Sequence, residues 1–168
     1  MLKVRRISTQ DPLYRQQCAL REDVLLRPIG LDMARFRAEF PGVEERLEHY
    51  VATVEQTNGP RVIGCASLLS NAPDSGAGRL MQMAVDLQRQ GEGVGRRLVV
   101  AVESRAFGEL RLSELYCHAQ LAAVGFFLSL GWTPVGDVFH EAGLAHRRML
   151  LASPELPSAD EHDPALAE

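Results

Sequence analysis

A chain of 168 residues with 46% hydrophobic and 24% charged positions can bury one sizeable core but hardly two, so a single domain is expected. The net charge of −4 gathers at one end, because residues 153–168 hold Glu155, Asp160, Glu161, Asp163 and Glu168 and no Lys or Arg; without these five the rest stands at +1. A nearly neutral body offers no basic footprint for nucleic acid or an anionic membrane. Apolar runs such as residues 98–102 are far below the roughly 20 needed to cross a bilayer, and no charged-then-apolar leader opens the sequence, which points to a cytoplasmic protein.

In chain order, Lys3 to Ser8 alternates charged and apolar residues as a half-buried strand does. Tyr14 to Leu26 sets Cys18, Leu20, Val24 and Leu25 at helical spacing, and Pro28 and Gly30 close that helix. Residues 31–46, broken by Pro41 and Gly42, read as a second short helix plus a loop. Tyr50 to Val54 and Arg61 to Leu69 form a hairpin about the Asn58-Gly59-Pro60 turn signal. A loop from Ser70 to Gly78 precedes a strand over Arg79 to Val85. After a glycine-rich turn, Val94, Leu98, Ala101, Val102 and Ala106 share one helix face ending near Gly108. Leu112 to His118 reads as a strand and Gln120 to Leu130 as an apolar helix stopped by Gly131. Trp132 to Val138 and Ala145 to Leu151 read as the last strands. The order predicts a mixed α/β sheet with helices packed on it. Cys18, Cys65 and Cys117 each lie in apolar periodic segments, as small buried hydrophobes do. Residues 153–168 form an acidic tail with three prolines, and this composition predicts disorder.

The turn Gln90-Gly91-Glu92-Gly93-Val94-Gly95 carries the chemistry. Three glycines in five residues between a strand and a helix are costly in entropy unless the backbone needs positive φ or a close approach. The helix behind them offers free N–H groups and the positive end of its dipole, together a cradle for phosphate or pyrophosphate. A dinucleotide-binding G-x-G-x-x-G fails, since glycine would be needed at 96 or 98, where Arg96 and Leu98 stand. A P-loop fails likewise, at Arg96, Arg97 and Leu98.

The pattern that survives, Q/R-x-x-G-x-G/A on Gln90, Gly93 and Gly95, resembles the coenzyme A pyrophosphate loop of the GNAT (acetyl-CoA-dependent N-acetyltransferase) superfamily. Met83-Ala84-Val85 before it and Ala123-x-x-Phe126-Phe127-x-x-Leu130-Gly131-Trp132 after it are also similar to that family's segments. Leu20-Arg21-x-x-Val24-Leu25-x-x-Pro28-x-Gly30-Leu31, with Glu141 to His146, looks like a bacterial branch of it. The resemblance implies a mostly antiparallel central sheet flanked by helices, with residues 1–152 as the N-acetyltransferase domain. It implies acetyl-CoA as co-substrate, its pantetheine arm paired along Met83, Ala84 and Val85 and its pyrophosphate on Gln90, Gly91, Glu92, Gly93, Val94, Gly95 and Arg96, with Arg89 or Arg97 as further phosphate partners. It also implies acetyl transfer to a primary amine of a small molecule or peptide by direct attack in a ternary complex, without metal; a homodimer stays open.

An amine near pKa 10 must lose a proton before it attacks. The first candidates for the proton-handling groups are His146, at the start of the last strand, and Glu141, as base or as partner of the substrate ammonium. His118, His140, Asp86 and Glu114 stand behind them. Many family members carry a tyrosine that protonates the leaving thiolate where this chain has Phe127. A phenyl ring donates no proton, so a non-catalytic acyl-CoA sensor of the same fold is the alternative reading.

Overall fold

The computed structural model describes residues 1–154. Seven strands form one sheet in the order β1-β2-β3-β4-β5-β7-β6: β1 (Lys3–Ile7), β2 (Glu48–Gln56), β3 (Gly59–Ser70), β4 (Ala77–Val85), β5 (Glu114–Gln120), β6 (Thr133–Glu141) and β7 (Leu144–Ala152). Every neighbouring pair is antiparallel except β4 with β5, so the sheet is mixed and mostly antiparallel, as expected. The helices are α1 (Tyr14–Arg21, continued as wider and tighter turns to Ile29), α2 (Met33–Glu39), α3 (Val43–Arg46), α4 (Val94–Glu103, continued to Glu109) and α5 (Val124–Ser129).

One face of the sheet packs on α4 and α5. Leu98, Val99, Val102 and Ala106 meet Ile63, Ala66, Leu68, Leu80, Leu115, Cys117 and Met149, and Phe127 and Trp132 fill the space below. The expected helix face after the glycine turn is therefore the core face, and Cys65 and Cys117 are buried with their thiols pushed up to about 12 by burial. The expectation of a disordered tail falls on residues that, from 155 onward, lie outside those described.

The opposite face divides in two. Over β3 and β4 lies α1, and its buried side differs from the expected apolar stripe. Cys18, Leu20, Val24 and Leu25 are only half-buried, whereas Gln17 and Arg21 are fully enclosed. The reason is electrostatic: α3 presents Glu44, itself 3% exposed, and its carboxylate takes both arms of the Arg21 fork at 2.7 and 2.9 Å. Over β5, β7 and β6 the same face carries polar and aromatic side chains, and among the described residues no helix lies on it. The hairpin joining β6 and β7 is longer than expected, since Glu141 pairs with Leu144 across the two-residue turn Ala142-Gly143, both at positive φ. Glu141 is thus fixed on a strand rather than carried by a loop.

Candidate active site

Among the described strands the one parallel pair is also the shortest. Strands β4 and β5 pair through Ala77, Gly78 and Arg79 against Glu114, Leu115 and Tyr116, and then part. From Leu80 to Val85 the β4 edge facing β5 has no strand partner among the described residues, and at about 3.3 Å per residue that edge runs roughly 17 Å. A bulge falls inside it: β3 advances two residues from Cys65 to Ser67 while β4 goes back three, from Ala84 to Met81. Gln82, the extra residue, has φ 51. Cys65 Sγ donates to its carbonyl at 3.5 Å and Arg21 Nε to its side-chain oxygen at 3.1 Å, so the bulge is held from both sides.

The open edge leads into the glycine turn. Asp86 caps the turn at Leu87–Arg89 by accepting from Gln88 N–H at 3.0 Å and pairs with Arg61 at 2.8 Å; it is a turn residue, apart from the histidine–glutamate cluster described below. Gly91 and Gly93 follow at φ 82 and 80, the left-handed region that admits glycine without strain. Gly93 is the N-cap of α4, and no side chain caps that helix. The first N–H groups of α4 accordingly keep their donor capacity, beside the positive end of the dipole. Gly95 answers a different need, since a Cβ there would stand 2.9 Å from Met83 Cε and 3.3 Å from Phe126 Cζ. Among the flanking cations, Arg97 is tied to the Leu2 carbonyl at 2.8 Å and Arg89 to Glu92 at 3.5 Å, while Arg96 is exposed. The turn has the donors, backbone shape and access that a pyrophosphate requires, and Gln90 borders it with its amide 3.5 Å from the Val85 carbonyl.

At the fork lies a second constellation. Tyr116 and His118 alternate along β5 with the core residues Leu115, Cys117 and Ala119, and so face the helix-free side. Register puts Arg148 of β7 opposite His118, His146 opposite Gln120, and Phe139 of β6 opposite His146. The two first candidates, His146 and Glu141, come together with Nε2 and Oε2 3.9 Å apart. His118 joins them: its Nδ1 lies 3.2 Å from Glu141 Oε1 and 3.1 Å from Arg79 Nη2. One ring nitrogen cannot serve both partners at once. A neutral ring accepts from Arg79 there, with its proton on Nε2, whereas an imidazolium donates to Glu141. Burial, then Arg79, hold His118 below the ordinary histidine value, with Glu141 opposing them. The ring is therefore a neutral base whose protonated form finds a carboxylate already in place.

His146 is nearly enclosed, stacked on Phe139, and its Nδ1 donates to the Leu144 carbonyl at 2.7 Å. With Nδ1 donating there, Nε2 is the ring atom that faces Glu141. His140 alternates with Phe139 and Glu141 and lies on the other face of β6, away from the cluster. Glu114 marks the closed end of the fork, paired with Ala77 and Ala152. Phe127 is core, 5% exposed and 5.1 Å from both Phe126 and Trp132 by ring centroids. Sequence reasoning missed Arg79 and Arg148. The spacing of His146 and Arg148 already implied a shared strand face, but nothing in the sequence set Arg79 beside β5.

This arrangement can now be compared with known proteins. No curated protein sequence matches the chain. Among solved structures, a candidate N-acetyltransferase from Lactobacillus plantarum aligns over 90% of this chain and 98% of its own with TM-score 0.73 and 22% identity. An IAA acetyltransferase from Bacillus cereus covers 90% and 99% (TM-score 0.65, 19% identity), and a GNAT-family acetyltransferase from Staphylococcus aureus also covers 90% and 99% (TM-score 0.69, 12% identity). At such identities the likeness speaks for the fold. The sequence itself matches the acetyltransferase (GNAT) domain profile over residues 31–153, a stretch that takes in both the fork and the glycine cradle, and the chain belongs to the GNAT acetyltransferase family.

Proposed function

We propose that the protein transfers an acetyl group from acetyl-CoA to a primary amine of a small molecule or peptide, by direct attack in a ternary complex. The observation that carries this reading is the open β4 edge, which joins a glycine cradle at one end to a carboxylate flanked by two histidines at the other. Acetyl-CoA, when bound, supplies the thioester carbonyl that the acceptor nitrogen attacks. The N–H groups of Gly91 to Arg96 would hold the pyrophosphate, and the unpaired main chain of Met83, Ala84 and Val85 would take the amide-bearing arm as an added strand. The rigid bulge at Gln82 fixes the N–H groups beside it where negative charge develops on the carbonyl oxygen.

Proton handling falls to the cluster at the fork. Glu141, 45% exposed on its side chain, receives the acceptor's ammonium, and the proton lost passes into the Glu141–His118 pair across 3.2 Å. His146 stands with Nε2 3.9 Å from the other carboxylate oxygen, where it is the ring atom open to take up a proton. Phe127 offers no proton to the departing sulfur. A thiol with pKa near 8.5 is a fair leaving group without one, and general acid catalysis adds only roughly 10²- to 10⁴-fold.

Calorimetric titration of acetyl-CoA into wild type and Gly93→Trp tests the cradle: affinity is expected to vanish in the variant, and unchanged affinity would refute the placement. The donor-less Phe127 favours a second reading, a non-catalytic acyl-CoA sensor. Tight cofactor binding with no thiol release across a panel of amines would select it.

A further inference from the structure

The charges at the fork do not balance. Glu141 is shared among His118 at 3.2 Å, Arg79 at 3.8 Å and His146 at 3.9 Å. The guanidinium of Arg148 lies on the same face, 4.3 Å over the ring of Tyr116, and among the described residues it has no carboxylate within 4.0 Å. Its Nε, like that of Arg79, is enclosed and has no hydrogen-bond partner. A half-buried arginine held over an aromatic ring is pre-organised, and leaving it without a counter-charge is unfavourable unless a ligand supplies one. Register places Arg148 directly opposite His118, so their Cβ atoms are about 4.5–5.5 Å apart. Arg79 touches His118 from the other side.

From this geometry we infer that the acceptor is an amino-carboxylate: its carboxylate binds Arg148, with Arg79 beside it, while its ammonium lies against Glu141 and His118. The close spacing suits an amine one or two carbons from the carboxylate. Arg148 is then a specificity-determining residue. The inference rests on the acyltransfer reading for its site but makes a separate claim, since binding of the anion requires no reaction.

Two measurements keep the claims apart. In protein preloaded with free CoA, calorimetric titration compares amino acids with the corresponding amino acid amides, which keep the amine and lose the negative charge. The acids are expected to bind roughly 10- to 100-fold more tightly, the range for a charge-assisted pair, and Arg148→Gln is expected to abolish that difference while binding of acetyl-CoA is unchanged. Thiol release on the same compounds is expected to show the same preference in kcat/KM, expressed mainly in KM. Equal binding of acids and amides by wild type, or an equal loss of both in Arg148→Gln, overturns the inference. Silence in the thiol assay with the binding preference intact refutes acyl transfer and leaves the anion site standing.

Discussion

Arg21 and Arg148 approach the same face of one sheet and have opposite fates. Arg21, carried there by α1, is fully buried, and Glu44 takes both its arms while Tyr14 and His49 close round the carboxylate. Arg148, on β7 where no described helix covers the face, has the Tyr116 ring and, among the described residues, no carboxylate within 4.0 Å. A buried guanidinium with every arm matched specifies one packing and leaves nothing to bind. A half-open one without a carboxylate keeps its capacity for a ligand. The two halves of the face thus divide the labour: the α1 side holds the Gln82 bulge, and on the proposed reading the fork side receives the acceptor.

The largest expected effect is on the closed half. Glu44→Gln strands the buried Arg21 charge and should cost about 3–5 kcal/mol of stability by denaturant unfolding. A loss under about 1 kcal/mol would erase the distinction between the halves. The same half sets the acid response. His49 is held below its usual 6.5 by burial, so the stability it contributes in the neutral form is present above that pH and is lost as pH falls through the lowered value. Burial pushes Glu44 up, but the Arg21 fork more than offsets it, and the net pKa lies below 4.5. Its contribution is present above the ordinary carboxylate range and is lost as pH falls through that lower value. Unfolding monitored against pH should therefore weaken in two stages, and Glu44→Gln should reduce the second without removing it, because the carboxylates of Asp11 and Glu48 are also held low by Arg5 and Arg105.

Next comes the fork. His118→Gln should lower kcat/KM by about 10²-fold or more while changing stability by under about 1 kcal/mol. Because the base works neutral and its value is depressed, the acid limb of kcat/KM in wild type should lie below pH 6.5. A variant with full activity, or a limb above that pH, would take His118 out of the proton path.

What the sequence disclosed follows the same division. The strands, the glycine turn and the core face of α4 were legible because periodicity and turn chemistry are local. The face of α1 was not, because an enclosed Arg21 looks solvated until Glu44, 23 residues on, is brought to it. Glu141 read as a loop residue because a two-residue turn at Ala142-Gly143 has few residues to announce it. The meeting of Arg79 with His118 depends on β4 and β5 pairing in parallel for only three residues, a long-range fact that no local pattern encodes.

The smallest expected effect separates the arginines most directly. Arg148→Gln removes a cation–π contact that contributes about 0.5–1 kcal/mol where partly exposed, and it also removes an enclosed Nε–H that has no partner, whose desolvation costs a similar amount. The two nearly cancel, so the variant should unfold within about 1 kcal/mol of wild type while Glu44→Gln does not. A large destabilisation in Arg148→Gln would mean that its guanidinium is already satisfied within the fold, and the open half would then be as structural as the closed one.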